Sequence, residues 1–105
     1  MTDKKIVLTT AGNKEEAQQI AWALVERKLA ACVNIVSQVE SIYRWKDEIE
    51  SNPEYLLIIK TTAAAFERVR DAIKELSSYE QPECIQLAID GGSEGYLKWM
   101  ESSVE

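Results

Sequence analysis

Residues 37–50, SQVESIYRWKDEIE, decide the fold. From Val39 the odd positions Val39, Ser41, Tyr43 and Trp45 alternate with Glu40, Ile42 and Arg44, and period two puts each set on its own face of a strand. Lys46-Asp47 supplies a two-residue hairpin turn, because Asp tolerates a left-handed backbone better than most residues, and Glu48-Ile49-Glu50 returns. Tyr and Trp bury large areas while keeping a polar tip. Two accounts fit them: a strand of the local core, or a ribbon covered by another chain at a subunit interface or cleft mouth.

Working outward, Ala31 to Val36 opens the strand that continues through Ser37 to Trp45. That length is well above the usual five or six residues, so the strand must bend, bulge or project. On the return side Asn52-Pro53 is expected to interrupt the ladder as a bulge or edge. Tyr55-Leu56-Leu57-Ile58-Ile59 is apolar without alternation, as for a central strand covered on both faces.

Before the ribbon, Ile6 to Thr10 reads as a short strand and Ala11-Gly12-Asn13 as a turn. Asn13 with Glu16 three residues on is a capping-box pattern. The helix it starts carries Ala17, Ile20, Ala21, Leu24 and the stem of Lys28 on its apolar face, with Trp22 flanking and Arg27-Lys28 at its end. After the ribbon, Thr61 or Thr62 caps a second helix whose Phe66, Val69, Ile73 and Leu76 recur at three and four. Ser77 to Pro82 ends it, and Glu83 to Ile89 forms a strand with Ile85, Leu87 and Ile89 on one face. Asp90-Gly91-Gly92 turns into a short helix carrying Tyr96, Leu97, Trp99 and Met100, and ESSVE at the end is expected to fray.

The order is βαββαβ plus a terminal helix: an α+β, ferredoxin-like sandwich over residues 1–105 as one domain, with both helices on one sheet face. The other face stays open, and an apolar open face predicts association.

Composition narrows function. There are 12 basic and 18 acidic residues, net −6, without a Lys/Arg run, which argues against nucleic acid or an anionic membrane as partner. No apolar run approaches the roughly 18 residues of a membrane span, and a cytoplasmic protein is expected. The chain has no histidine, so histidine catalysis and histidine metal sites are excluded. Cys32 and Cys84 form no CxxC pair and read as small buried hydrophobes. Glu48/Glu50 and Glu80/Glu83 are the candidate ligands for hard cations such as Mg, Ca or Mn, and a lone Cys32 or Cys84 thiolate is a weak soft-metal ligand. Gly91-Gly92-Ser93 reads as a turn.

Three segments together resemble the CutA family of divalent-cation tolerance proteins: Lys28 to Ile35 (KLAACVNI), Ser41 to Glu50 (SIYRWKDEIE) and Tyr79 to Glu83 (YEQPE). Thr9-Thr10-Ala11, LIIKTT at 57–62 and Tyr96-Leu97-Lys98-Trp99 fit as well. The resemblance implies a tight PII-like homotrimer without enzymatic activity or a required cofactor, associated with tolerance of copper and other divalent cations. It implies inter-subunit clefts lined by Tyr43, Trp45, Glu48, Lys60, Tyr79, Glu80, Pro82 and Glu83, with Glu80, Glu83 and Cys32 as metal candidates. The family usually has His-Pro before the third-motif Tyr, where this chain has Ser77-Ser78, and usually Gly at the position of Asp47. The first departure removes the histidine that a His-dependent copper site needs. Two alternatives are a PII-like sensor of a small anionic metabolite, with Lys60 and Arg44 as charge partners, and a structural or adaptor trimer.

Overall fold

The computed structural model describes residues 2–105. Its elements are β1 (Lys4–Ala11), α1 (Lys14–Glu26), β2 (Cys32–Trp45), β3 (Glu48–Thr62), α2 (Phe66–Leu76), β4 (Ile85–Ala88) and α3 (Glu94–Ser103). The strands form one antiparallel sheet in the order β2-β3-β1-β4, the predicted ferredoxin-like arrangement with an extended hairpin and a C-terminal helix. No helix among the described residues is long and apolar enough to cross a membrane.

Strand parity divides the sheet. Val7, Thr9 and Ala11 of β1 and Leu57 and Ile59 of β3 share a face, all fully buried, and α1 and α2 close over it with Ala17, Ile20, Leu24, Val69 and Ile73. The opposite face presents Ile6, Leu8, Leu56 and Ile58, half-buried, beside the exposed Val36, Ile85 and Leu87. The run 55–59 is therefore covered by helices on one face only, and the expected second cover is not supplied by this chain. α3 packs against β1 and β3, where the nearly buried Lys4 ammonium reaches Asp3 and Glu101.

Several boundaries differ from the sequence reading. The Asn13 side chain accepts the Glu16 N–H at 2.8 Å as expected, yet the Glu16 carboxylate does not complete the box and instead accepts the Ser78 N–H at 3.1 Å. α1 ends before Lys28, whose φ of 58° turns the chain while the Leu29 and Ala30 N–H groups bond back to the Leu24 carbonyl. Lys28 thus lies outside the helix's apolar face, and Trp22 stands out in solvent, 70% exposed. β3 runs through Thr61 and Thr62, so α2 begins at Phe66 with Ala65 as its N-cap residue. Thr61 donates to the Leu29 carbonyl, while Thr62 accepts the Ala65 N–H in the turn before the helix. β4 is shorter than expected, four residues, matching the length over which β1 offers a partner. The last residues do not fray: the Glu105 N–H bonds the Lys28 carbonyl at 2.9 Å, and Arg68 reaches the Glu105 carbonyl.

The ribbon's bulge lies at Ser37-Gln38 on β2, between the pairs Val36↔Leu56 and Val39↔Glu54, with Gln38 at φ 62°. β3 passes through Asn52-Pro53 in register, correcting the expected break there. Beyond Tyr55 it has lost β1 and keeps only β2, so a proline without an N–H is tolerated in a two-stranded ribbon. The ribbon projects: the chain measures 44 × 25 × 23 Å, with a radius of gyration of 14.1 Å against about 13 Å for a compact chain of this length.

At the tip, Lys46 and Asp47 have φ of 51° and 66°, both left-handed, the backbone of a type I′ turn. L-residues other than Gly, Asn and Asp resist that conformation by about 1–2 kcal/mol each. The double substitution Lys46→Asn, Asp47→Gly should stabilise the ribbon by about 1 kcal/mol, read as slower amide exchange of hairpin residues. Unchanged or faster exchange would contradict the turn assignment.

Candidate functional site

The bulge sets where the aromatics point. Before it, Cys32, Asn34 and Val36 lie on the open face opposite Lys60, Ile58 and Leu56; the extra residue then shifts parity, so Val39, Ser41, Tyr43 and Trp45 continue that same face. Their partners on β3 are Glu54, Asn52, Glu50 and Glu48. Tyr43 and Trp45 remain 42% and 39% exposed, and Ile42 and Ile49 on the reverse of the ribbon about 70% each. The ribbon is therefore not a local core strand; both its faces offer apolar surface that this chain leaves uncovered.

At the base of the ribbon the segment 77–83 folds back toward β3 and closes one side of a cleft of about 630 Å³. Tyr43 and Trp45 form one wall, Tyr79, Glu80 and Glu83 the other, and Glu54 lies between with Thr10 and Ser41. The Tyr79 hydroxyl donates to the Glu54 carboxylate, and Asn52 donates to the Tyr43 hydroxyl at 2.7 Å. Gly12 permits the first contact, since a Cβ there would meet the Tyr79 hydroxyl at 3.1 Å. Burial, reinforced by the Glu54 hydrogen bond and the nearby Glu54, Tyr43 and Glu16 charges, pushes the Tyr79 phenol well above its ordinary value. It remains a proton donor at any physiological pH.

Of the residues singled out from the sequence, the structure brings Tyr43, Trp45, Tyr79, Glu80 and Glu83 together at this cleft. Pro82 lines a smaller neighbouring cleft with Arg70, Lys74 and Cys84. Glu48 sits across from Trp45 at the ribbon tip, outside the cleft lining. Lys60 bonds Asn34 on the open face, about 20 Å along β3 from Glu54, and is not a cleft residue. Cys32 is the cross-strand neighbour of Lys60 on β2, and three inter-strand spacings, about 14 Å, separate that edge from the β4 edge that Glu83 leads into. One metal centre cannot include Cys32 with Glu80 and Glu83. Among the described residues no group of three or more Cys, Asp or Glu side chains is placed to hold a metal ion. Both cysteines are free and half-buried rather than fully buried.

Glu54, Gly12 and Glu16 were not singled out as site residues from the sequence. Glu54 carried a usable signal, being in phase with Leu56 and Ile58 on one strand face, but the expected break at Pro53 hid it.

Glu54 is only 8% exposed, so Tyr79→Phe deprives a buried carboxylate of its hydroxyl donor and should cost about 1–3 kcal/mol in denaturant unfolding. The Glu83 carboxyl lies above its ordinary 4.5, chiefly because burial disfavours the ionised form and secondarily through the Glu54 charge. A carboxyl raised on folding favours the native state below the unfolded value, and that advantage is lost as pH rises through the folded value. Glu83→Gln should therefore raise the melting temperature relative to the parent more at about pH 7 than at about pH 4. A pH-independent difference in paired thermal scans would be inconsistent with this environment.

Residues 5–103 match the family model described as CutA1 divalent ion tolerance protein. The divalent-cation tolerance protein CutA of Thermus thermophilus is 44% identical over 100 residues, covering 95% of this chain and 97% of that one. The solved structure of the Cut A1 protein from the same bacterium superposes with a TM-score of 0.95 at 43% identity, over 97% of this chain and 99% of its own. A chloroplastic CutA of Arabidopsis thaliana is 42% identical over 93% of this chain, which spans 54% of that longer protein. With the ribbon, the split βαββαβ sheet and the sequence agreeing over nearly its whole length, the chain belongs to the CutA1 divalent ion tolerance family.

Proposed function

We propose that the protein is a non-enzymatic homotrimer of divalent-cation tolerance, copper included, whose clefts lie between subunits and meet cations weakly through Glu80 and Glu83. The observation that carries the assembly is the ribbon: Tyr43 and Trp45 on one face and Ile42 and Ile49 on the other stay uncovered, and the sheet face they continue is apolar as well. Donation of one ribbon to the next subunit, head to tail, closes a ring, and three is the number that the resemblance to the CutA family implies. Tyr43, Trp45, Tyr79, Glu80 and Glu83 form the ligand cleft in this reading, with Glu48 and Pro82 at its margins and Lys60 on the face between subunits. A cytoplasmic location belongs to this reading, and two unpaired cysteines suit a reducing compartment. The relatives are named as tolerance proteins and not as enzymes.

The absence of histidine and the separation of Cys32 from the carboxylates keep cation binding weak, of the oxygen-ligand class. The anionic-metabolite alternative is less well supported, because Lys60 lies away from the cleft and Arg44 is on the ribbon face opposite Tyr43 and Trp45.

Truncating a Trp buried in an interface costs about 3–5 kcal/mol, whereas an exposed one usually matters by less than about 0.5 kcal/mol. Trp45→Ala should dissociate the assembly and lower its melting temperature, and Trp22→Ala should do neither, as judged by light scattering and sedimentation. A monomeric parent, or a Trp45→Ala protein that assembles as stably as the parent, would sink the interface reading. Calorimetric titration of Cu(II) into the Cys32→Ser, Cys84→Ser protein tests the ligand set. Stoichiometric submicromolar binding there would refute weak carboxylate coordination.

A further inference from the structure

Residues 77–84 join α2 to β4 with neither helix nor strand of their own, so side-chain contacts decide where this segment lies. Its ends are fixed: the Ser77 N–H bonds the Ile73 carbonyl at 2.9 Å, and Ile85 pairs with Leu8 of β1. Between them the segment carries Tyr79, Glu80 and Glu83, one whole wall of the cleft. The residues that hold this wall belong to the turn before α1 and to the first turn of that helix. Glu16, the third residue of α1, takes the Ser78 N–H on its carboxylate at 3.1 Å, while its own N–H goes to the Asn13 side chain at 2.8 Å. Gly12 leaves the notch beside the Tyr79 hydroxyl, where a Cβ would fit tightly at 3.1 Å.

A hydrogen-bonded path within one chain therefore runs from Asn13 through Glu16, Ser78 and Tyr79 to Glu54, from a helix cap to a carboxylate only 8% exposed. Its links are unequal. The Ser77 hydroxyl also accepts the Tyr79 N–H, at 3.1 Å, but that bond closes a local turn that the segment carries with it wherever it lies. The Glu16 bond spans 62 positions of sequence and is assisted by the carboxylate charge. It is the contact that ties the segment to the rest of the fold ahead of Tyr79.

We infer that Glu16 is the positioning residue of the cleft. Its carboxylate, through the Ser78 N–H, sets the Tyr79 hydroxyl over Glu54, and loss of that one contact frees the loop wall while the sheet and helices stay formed. The functional weight of this inference rests on the reading of the cleft as the ligand site; the positioning itself requires neither a ligand nor the trimer. The first turn of α1, in the helix layer, thereby governs the shape of a site on the opposite face of the sheet.

Amide hydrogen exchange, resolved by residue in nitrogen-15 spectra of the intact protein, is the direct test. Glu16→Ala should speed exchange at Ser78 and Tyr79 at least about fivefold, while the amides of α3, at the Lys4 end of the sheet, keep their rates. Glu16→Gln, whose amide oxygen still accepts an N–H, should restore most of the protection. Ser78→Pro removes the donor instead of the acceptor, and Ser77, at φ −77° and ψ 141°, already has the backbone that a following proline demands. In that background Glu16→Ala should change the Tyr79 amide no further. Denaturant unfolding supplies a readout that a role confined to α1 would not move: the penalty of Tyr79→Phe should fall by about half or more once Glu16 is replaced by alanine. Unchanged exchange in Glu16→Ala, rates raised alike in α3, a Glu16→Gln protein as loose as Glu16→Ala, a further effect in the Ser78→Pro background, or an equal Tyr79→Phe penalty with and without Glu16 would each overturn the inference. Sedimentation of the same samples keeps the two readings apart. A monomeric parent in which Glu16 and Tyr79 are coupled ends the trimer reading alone, and a trimer without that coupling ends this one alone.

Discussion

The single extra residue in β2 governs everything distal to it. With period-two geometry, an unbroken strand from Cys32 would have sent Tyr43 and Trp45 to the side of Val33 and Ile35, the side on which the helices lie. The shift at Ser37-Gln38 sends them instead to the open face, in line with Leu56, Ile58 and Val36. One continuous surface, part aliphatic sheet and part aromatic ribbon, results from a local change of phase. Because the partner strand stays straight through Pro53, Glu54 remains in the row below the aromatics, within reach of the Tyr79 hydroxyl.

The elements that packing decides were legible in the sequence, whereas of the left-handed backbone positions only those of the hairpin turn were. Val69 and Ile73, or Ile20 and Leu24, announce a helix face because burial of a stripe needs that spacing. The Lys46-Asp47 turn was legible from its flanking alternation. By contrast, the left-handed positions among the described residues are Lys28, Gln38, Lys46 and Asp47, and none of these is a glycine. The usual marker of a helix exit or a bulge was therefore missing at Lys28 and Gln38, and the nearby proline drew the bulge to the wrong strand. Gly12 matters for the space it leaves beside Tyr79, where a Cβ would fit tightly at 3.1 Å, and not for its backbone freedom.

The candidate site was half legible for a related reason. Its aromatics and the Glu80-to-Glu83 segment stand in motifs of the CutA pattern, so their types and order point to them. Lys60 stands in such a motif as well, yet its strand position turns it to Asn34 on the open face, a placement that only the register reveals. Glu54 is a lone acid between a proline and an apolar run, and its role follows from the loop that folds over it. Long-range contacts of that kind leave no local periodicity to read.

The pairing of β1 with β4 joins Lys5 to Ala88, across most of the sequence, whereas β2 and β3 meet across a two-residue turn. Closing the larger loop costs more chain entropy and belongs to the slower contacts in folding. The segment carrying Tyr79, Glu80 and Glu83 runs directly into β4, so it gains its place only when that last strand docks. The ribbon can form early and wait; the cleft beneath it exists only in a chain that has finished folding.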